Sequence, residues 1–259
     1  MSRITFIGSG NVATHLAKAF HGAGHRVMQV WSRDISHAEM LAKQVSAEPV
    51  DKLSVVASDA DVYIVAVTDD ALFDIALDLK MPHALVLHTA GAVSLNVLKL
   101  ASSRYGVIWS PQTFIRDVAM DYRSLPFCVE GSNSEALKQI RELVASISDK
   151  IYDIDSHQRQ WLHLASVFVN NFGNAVNALA ENLLYRQGIP FEILYPIVSL
   201  TAEKVKKGDL WRQQTGPARR HDQKTIDHQR SMIADNDKLL ALYDMMTGII
   251  QENTADNVD

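Results

Sequence analysis

The chain has 259 residues, 47% hydrophobic and 21% charged, with a formal net charge of −5. That composition suits one or two ordinary globular domains, each long enough to bury a core. The negative balance and the lack of a basic run give no bulk attraction for nucleic acid or an anionic membrane. The single cysteine, Cys128, excludes an internal disulfide framework and a four-thiolate metal site.

Met1-Ser2-Arg3 leads straight into Ile4-Thr5-Phe6-Ile7, which reads as a first strand and not a secretion signal. No run approaches 18 uninterrupted apolar residues, so no membrane span is expected and the setting reads as cytoplasmic. Up to about Ile154, β-rich runs alternate with helical ones. The expected strands are Ile4–Ile7, Arg26–Trp31, Val62–Val67, Leu85–His88, Val107–Trp109, Phe127–Glu130 and Ile151–Ile154. Helical patterns fall at Val12–Ala23, His37–Val45, Leu95–Ala101 and Ser134–Ser148. Such alternation predicts an α/β fold, a mostly parallel sheet wrapped on both faces. From about Ser156 the strands stop, and helices are expected over His157–Gln187, Phe191–Lys207 and Gln223–Ile250. The division is therefore 1–155 as an α/β domain and 156–259 as an all-α domain.

Between the first strand and first helix stands Gly8-Ser9-Gly10-Asn11-Val12-Ala13, a GxGxxA pattern. Gly8 permits a tight turn, Gly10 lets the backbone approach a diphosphate, and Ala13 allows the helix to pack on the sheet. The pattern is weak alone, but here it follows a strand and opens a helix near the chain start, as a dinucleotide site requires. The second strand ends in Trp31-Ser32-Arg33-Asp34. Ser32 and Arg33 suit a 2′-phosphate, which favours NADP over NAD; Asp34 points the other way, and Arg33 as a solvated loop charge is the alternative.

Further candidates stand at strand ends, where open α/β sheets bind ligands. Val67, Thr68 and Asp69 follow the Val62–Val67 strand on the cofactor side; Asp69 and Asp70 equally suit a helix cap and first turn. His88 and Thr89 end the next strand, and Gln112 and Thr113 follow the one after. Thr89 is assigned to the cofactor, and His88, Gln112 and Thr113 to a small-molecule substrate, with turn chemistry as the alternative for each. In the helical half, Thr215, Arg219, Arg220 and Asp222 cluster in QTGPARRHD, where an arginine pair by a helix start could grip a carboxylate or phosphate. A surface loop with one ion pair explains them as well. The ten histidines show no metal-ligand spacing with acids around them, so no metal is expected.

Along His163–Glu181, numbered at about 100° per residue, His163, Asn170, Asn174, Asn177 and Glu181 fall within roughly 60° of each other. This short, mostly uncharged polar stripe suits a cleft. His163 as acid or base, with Asn170 and Asn174 orienting substrate, is one reading; a stripe packed against a dimer partner is the other.

The opening IGSGNVATHLAKAF is similar to the amino-terminal segment of pyrroline-5-carboxylate reductases and their NADP-dependent relatives. DVYIVAVTDDAL, HTAG, PQTF, HLASVFVNNF and QTGPARRHD, in this order, resemble a bacterial family of Rossmann-like proteins with a C-terminal helical domain of unknown function. The resemblance runs from Ile4 to about Tyr243. It implies a C-terminal domain similar to that of 6-phosphogluconate dehydrogenase, commonly a homodimer through its helices. Relatives in the β-hydroxyacid dehydrogenase group carry a lysine and an asparagine on the first helix of that domain; here the stripe holds His163 and Asn170 and no lysine. The expected function is an NADP-dependent oxidoreductase acting on a small carbonyl, imine, hydroxy acid or amino acid. A non-catalytic NADP-binding sensor or partner protein is the alternative.

Overall fold

The computed structural model describes residues 1–254. Two compact units divide the chain, residues 1–175 and those from 176 onward. In the first, eight strands form one sheet in the order β3-β2-β1-β4-β5-β6-β7-β8. They are β1 (Arg3–Ile7), β2 (Arg26–Trp31), β3 (Glu48–Val50), β4 (Val62–Val65), β5 (Leu85–His88), β6 (Arg104–Trp109), β7 (Pro126–Gly131) and β8 (Lys150–Asp153). All pairings are parallel except β6 with β7. The order reverses between β1 and β4, which is the switch point where this topology opens a crevice.

The central strands read as unbroken apolar runs because helices cover both faces. Ile4, Phe6, Ile7, Ile64, Val86 and Leu87 are fully buried. Helices α1 (Asn11–Gly22), α2 (Ile35–Val45), α3 (Asp69–Asp78) and α4 (Ser134–Ala145) connect the strands. Two corrections to the expected elements have clear causes. The strand β3 was not expected, since Glu48-Pro49-Val50 is too short for a pattern; it forms by pairing with Gln29–Trp31. The helix expected over Leu95–Ala101 is only a 3₁₀ turn, Leu95–Leu98, capped by Ser94.

After β8, Asp155 and Gln158 form a reciprocal capping box that starts α5 (Ser156–Ser166). The rod continues through a π-helical stretch, Val167–Phe172, into α6 (Gly173–Tyr185). A constant 100° per residue therefore fails here: i→i+5 bonding widens the turn, and residues beyond it are carried to another side. In the second unit, α7 (Tyr195–Lys207) follows a 3₁₀ turn. The single helix expected over Gln223–Ile250 is two, α8 (Gln223–Met232) and α9 (Asp237–Thr254). Asn236 caps the second by accepting from Leu239 N at 3.1 Å. Arg230 then grips Asp244 with two nitrogens, at 2.8 and 3.0 Å, pairing the two helices.

Candidate functional site

The glycine turn lies at the switch point. Gly8 N donates to the Trp31 carbonyl and Ala66 N to the Ile7 carbonyl, each at 2.8 Å, so the turn is anchored to both flanking strands. Gly8 has φ +121°, and a Cβ there would fall 2.2 Å from the Ala66 oxygen. No L side chain fits that conformation and that contact together. Gly10 is different: it is extended, and nothing stands within 4 Å of where its Cβ would project. The free N–H groups of α1 thus open on clear space beyond a turn with no first-turn acid, which fits a diphosphate.

Ser32 and Arg33 follow β2 at the neighbouring strand end, Ser32 half-buried and Arg33 exposed. The contrary acid beside them is otherwise engaged. Asp34 caps α2, accepting from Ser36 N at 2.9 Å and Ser36 Oγ at 2.7 Å. Those hydrogen bonds hold its carboxyl below the usual carboxylate range. Val67 packs beside Gly8. Thr68 caps α3 without using its hydroxyl, and Asp69 lies in the first turn, exposed.

Two cavities adjoin at the carboxyl ends of β5 and β6. The larger, about 390 Å³, has Trp109, Gln112, Thr113, His163 and Asn170 in its wall. The smaller, about 70 Å³, holds Val12 and Thr89. Trp109, Ser110 and Gln112 line both, so the cofactor-side residues and the polar pocket share a wall. Asn170 Nδ2 donates to Thr113 Oγ1 at 3.0 Å, fixing the π-helical stretch to the loop after β6. A roomier cavity, about 640 Å³, opens at the opposite, amino ends of the strands. Of its two arginines, Arg3 is paired with Asp59 and Asp61 and Arg104 donates to Gln139 and the His83 carbonyl, and ligands in such sheets bind at the carboxyl ends.

Of the residues expected at the site, His163, Asn170, Gln112 and Thr113 do meet in one pocket. Asn174 is exposed and is not in its wall, being past the π-helical turn. His88 is fully buried: Nδ1 accepts from Ala90 N at 3.1 Å, and Nε2 has no partner. Burial, then the Arg159 charge, pushes its pKa down to about 3. Asn11 turns its side chain onto the Phe114 carbonyl, at 3.0 Å. In the second unit, Arg219 donates to its own loop, to the carbonyls of Arg212 at 2.7 Å and Gln214 at 2.6 Å. Asp222 caps α8 through Thr225, whose hydrogen bonds lower its pKa. Thr215 and Arg220 are exposed.

Several neighbours of the pocket carry no sequence signature. Ser110 is buried with an unpartnered hydroxyl. Arg159 is 1% exposed and ion-paired with Glu130 at 2.5 Å, while Ser156 Oγ donates to the same carboxylate at 2.8 Å. Arg159 also donates to the Val93 carbonyl at 2.5 Å, so α5, β7 and the loop after β5 are joined. Among the described residues, no three metal-ligating side chains gather, and no helix is long and apolar enough to cross a membrane.

A sheet reversing at β1 and β4, a glycine turn at that point and helices beyond define a Rossmann-type dinucleotide fold followed by a helical C-terminal region. Residues 3–90 match the family described as NADP oxidoreductase coenzyme F420-dependent, and residues 125–250 the domain of unknown function DUF2520. A candidate NADP oxidoreductase from Bacteroides fragilis is 37% identical, over 97% of this chain and 98% of its own, with a TM-score of 0.89. The chain belongs to the family that joins this NADP oxidoreductase domain to a DUF2520 domain. The fold is shared with an imine reductase from Myxococcus stipitatus in complex with NADP+, 17% identical over 98% and 95% of the two chains, TM-score 0.68. It is shared too with a reductive aminase from Aspergillus terreus in complex with NADPH and ethyl-5-oxohexanoate, 15% identical over 99% and 95%, TM-score 0.75. No curated protein matches the chain.

Proposed function

We propose that the chain is an NADP-dependent oxidoreductase that transfers hydride between the nicotinamide and a small carbonyl or imine, or the matching hydroxy or amino acid. The observation that carries this reading is the shared wall of Trp109, Ser110 and Gln112, with Val12 and Thr89 on one side and His163 and Asn170 on the other. A nicotinamide held along the first cavity would supply or take hydride at the second. Gly8, Ser9, Gly10 and Asn11 would form the diphosphate cradle, Ser32 and Arg33 would take the 2′-phosphate, and Val67, Thr68 and Asp69 would border the ribose side. His163 would give a proton to the substrate oxygen or nitrogen as hydride arrives at carbon, and Asn170, tied to Thr113, would orient that substrate. The relatives' complexes with NADP+ and NADPH support the same cofactor here.

The division at 1–155 and 156–259, a homodimer through the C-terminal helices and a cytoplasmic setting belong to this reading. The dimer is supported by the second unit itself. Ile193, Ile197, Leu200, Met232, Met245 and Met246 are exposed there, and helices with so little core of their own call for a second copy.

The test is a turnover screen of keto acids, cyclic imines and hydroxy acids, read at the reduced nicotinamide absorbance, with His163→Ala beside the native chain. Saturable turnover, lowered at least about a hundredfold in His163→Ala with NADPH affinity kept, is expected of a general acid–base. NADPH binding without turnover of any substrate would favour the sensor reading, for which the lysine-free stripe speaks.

A further inference from the structure

The segment from Ser110 to Tyr122 leaves the carboxyl end of β6 and is fastened across the start of α1. Asn11 Nδ2 holds the Phe114 carbonyl at 3.0 Å. The His15 ring bridges the Ile115 carbonyl at 2.8 Å and the Tyr122 hydroxyl at 2.9 Å, with the buried Phe114 ring beside it. From this fastened stretch Arg116 reaches the glycine turn, where Nη2 donates to the Ser9 carbonyl at 3.1 Å.

Arg116 is partly buried, and no carboxylate pairs with it among the described residues. A guanidinium offers five donors in a fixed fork, and one carbonyl occupies a single donor. The remaining charge stands beside the turn whose N–H groups open on clear space at Gly10. A cation without a counter-ion, held at a cradle for anions, is suited to complete that cradle.

We propose that Arg116 is a diphosphate-binding residue of the dinucleotide site, brought over the glycine turn by the Ser110–Tyr122 segment. The proposal rests on the dinucleotide reading above. It assigns Arg116 to the diphosphate that NADPH and NADH share, and leaves the 2′-phosphate to Ser32 and Arg33. Because the same segment carries Gln112 and Thr113, the anchored arginine also ties the cofactor turn to the polar pocket.

The experiment is a tryptophan-fluorescence titration of the native chain, Arg116→Ala, Arg116→Gln and Arg116→Lys with NADPH, NADH and adenosine 2′-monophosphate, which carries no phosphate at the 5′ position. Arg116→Ala and Arg116→Gln should weaken NADPH and NADH by the same factor, about tenfold or more for a charge-assisted bond. Arg116→Lys should recover part of that loss, and affinity for adenosine 2′-monophosphate should not move. Unchanged NADPH affinity in a folded Arg116→Gln, or an equal loss for adenosine 2′-monophosphate, overturns the proposal while the dinucleotide reading stands. A native chain that binds neither nucleotide sinks both.

Discussion

The His163 ring stands edge-on to the Trp109 indole, with centroids 5.9 Å apart and planes at 69°, directly over Gly91. A Cβ on Gly91 would come within 2.7 Å of His163 Cδ2 and 3.0 Å of Trp109 Cε2 and Nε1. Gly91 therefore sets how close the loop after β5 can come to the imidazole. Gly91→Ala should displace His163 and cut turnover about tenfold or more, at an overpacking cost of about 1–3 kcal/mol. NADPH affinity should hold. Turnover at the native level in Gly91→Ala would mean that the ring's position is not used.

The two glycines of the turn should fail in different ways. Gly8→Ala forces a side chain into a positive φ and onto the Ala66 carbonyl, so the loss should appear first in stability. Gly10→Ala meets nothing in the protein and keeps an ordinary backbone; its methyl instead enters the space the diphosphate would fill. Its melting curve should shift by no more than about 1 kcal/mol equivalent, as for a change at a helix cap, while NADPH binding drops at least tenfold. Equal binding by Gly10→Ala and the native chain would remove the cradle from the site.

Most of this fold is legible locally because its central strands are buried on both faces and so read as apolar runs, as Leu85–His88 does. What is not legible depends on partners distant in sequence. Glu48–Val50 becomes a strand only beside β2, and the π-helical widening after Ser166 leaves no periodic trace in VFVNNF. The same holds at the site. The glycine turn announces itself through its spacing, whereas Arg116 lies in an aperiodic loop 107 residues from the carbonyl it meets. His88 has the strand-end position of a ligand-binding group, yet the covering elements leave it 0% exposed.

The Arg159–Glu130 pair gives a third prediction. Arg159 is 1% and Glu130 13% exposed, so neutralising one partner strands a charge in the interior. Glu130→Gln should destabilise the fold by about 3–5 kcal/mol, measured by urea unfolding. The buried Arg159 Nε already lacks a partner, which leaves the guanidinium little means of compensation. A joint replacement, Glu130→Leu with Arg159→Met, should cost much less than Glu130→Gln alone. Additive losses in the two-site variant would show that the pair acts as two separate contacts.

His88 makes stability depend on acid. Its folded pKa, lowered from 6.5 to about 3 first by burial and then by the Arg159 charge, means that the native ring stays neutral while the unfolded ring takes a proton. Between these two values the unfolded chain binds one more proton than the native one, so stability rises with pH across that window. The contribution is complete above about pH 6.5 and is lost as pH falls toward 3, at about 1.4 kcal/mol per pH unit. His88→Asn keeps an acceptor for Ala90 N and removes the titration. Unfolding midpoints between pH 6.5 and 4 should therefore fall less steeply in His88→Asn than in the native chain, by the slope of one proton. Parallel slopes for the two proteins would mean that His88 takes up its proton in the native state as readily as in the unfolded one.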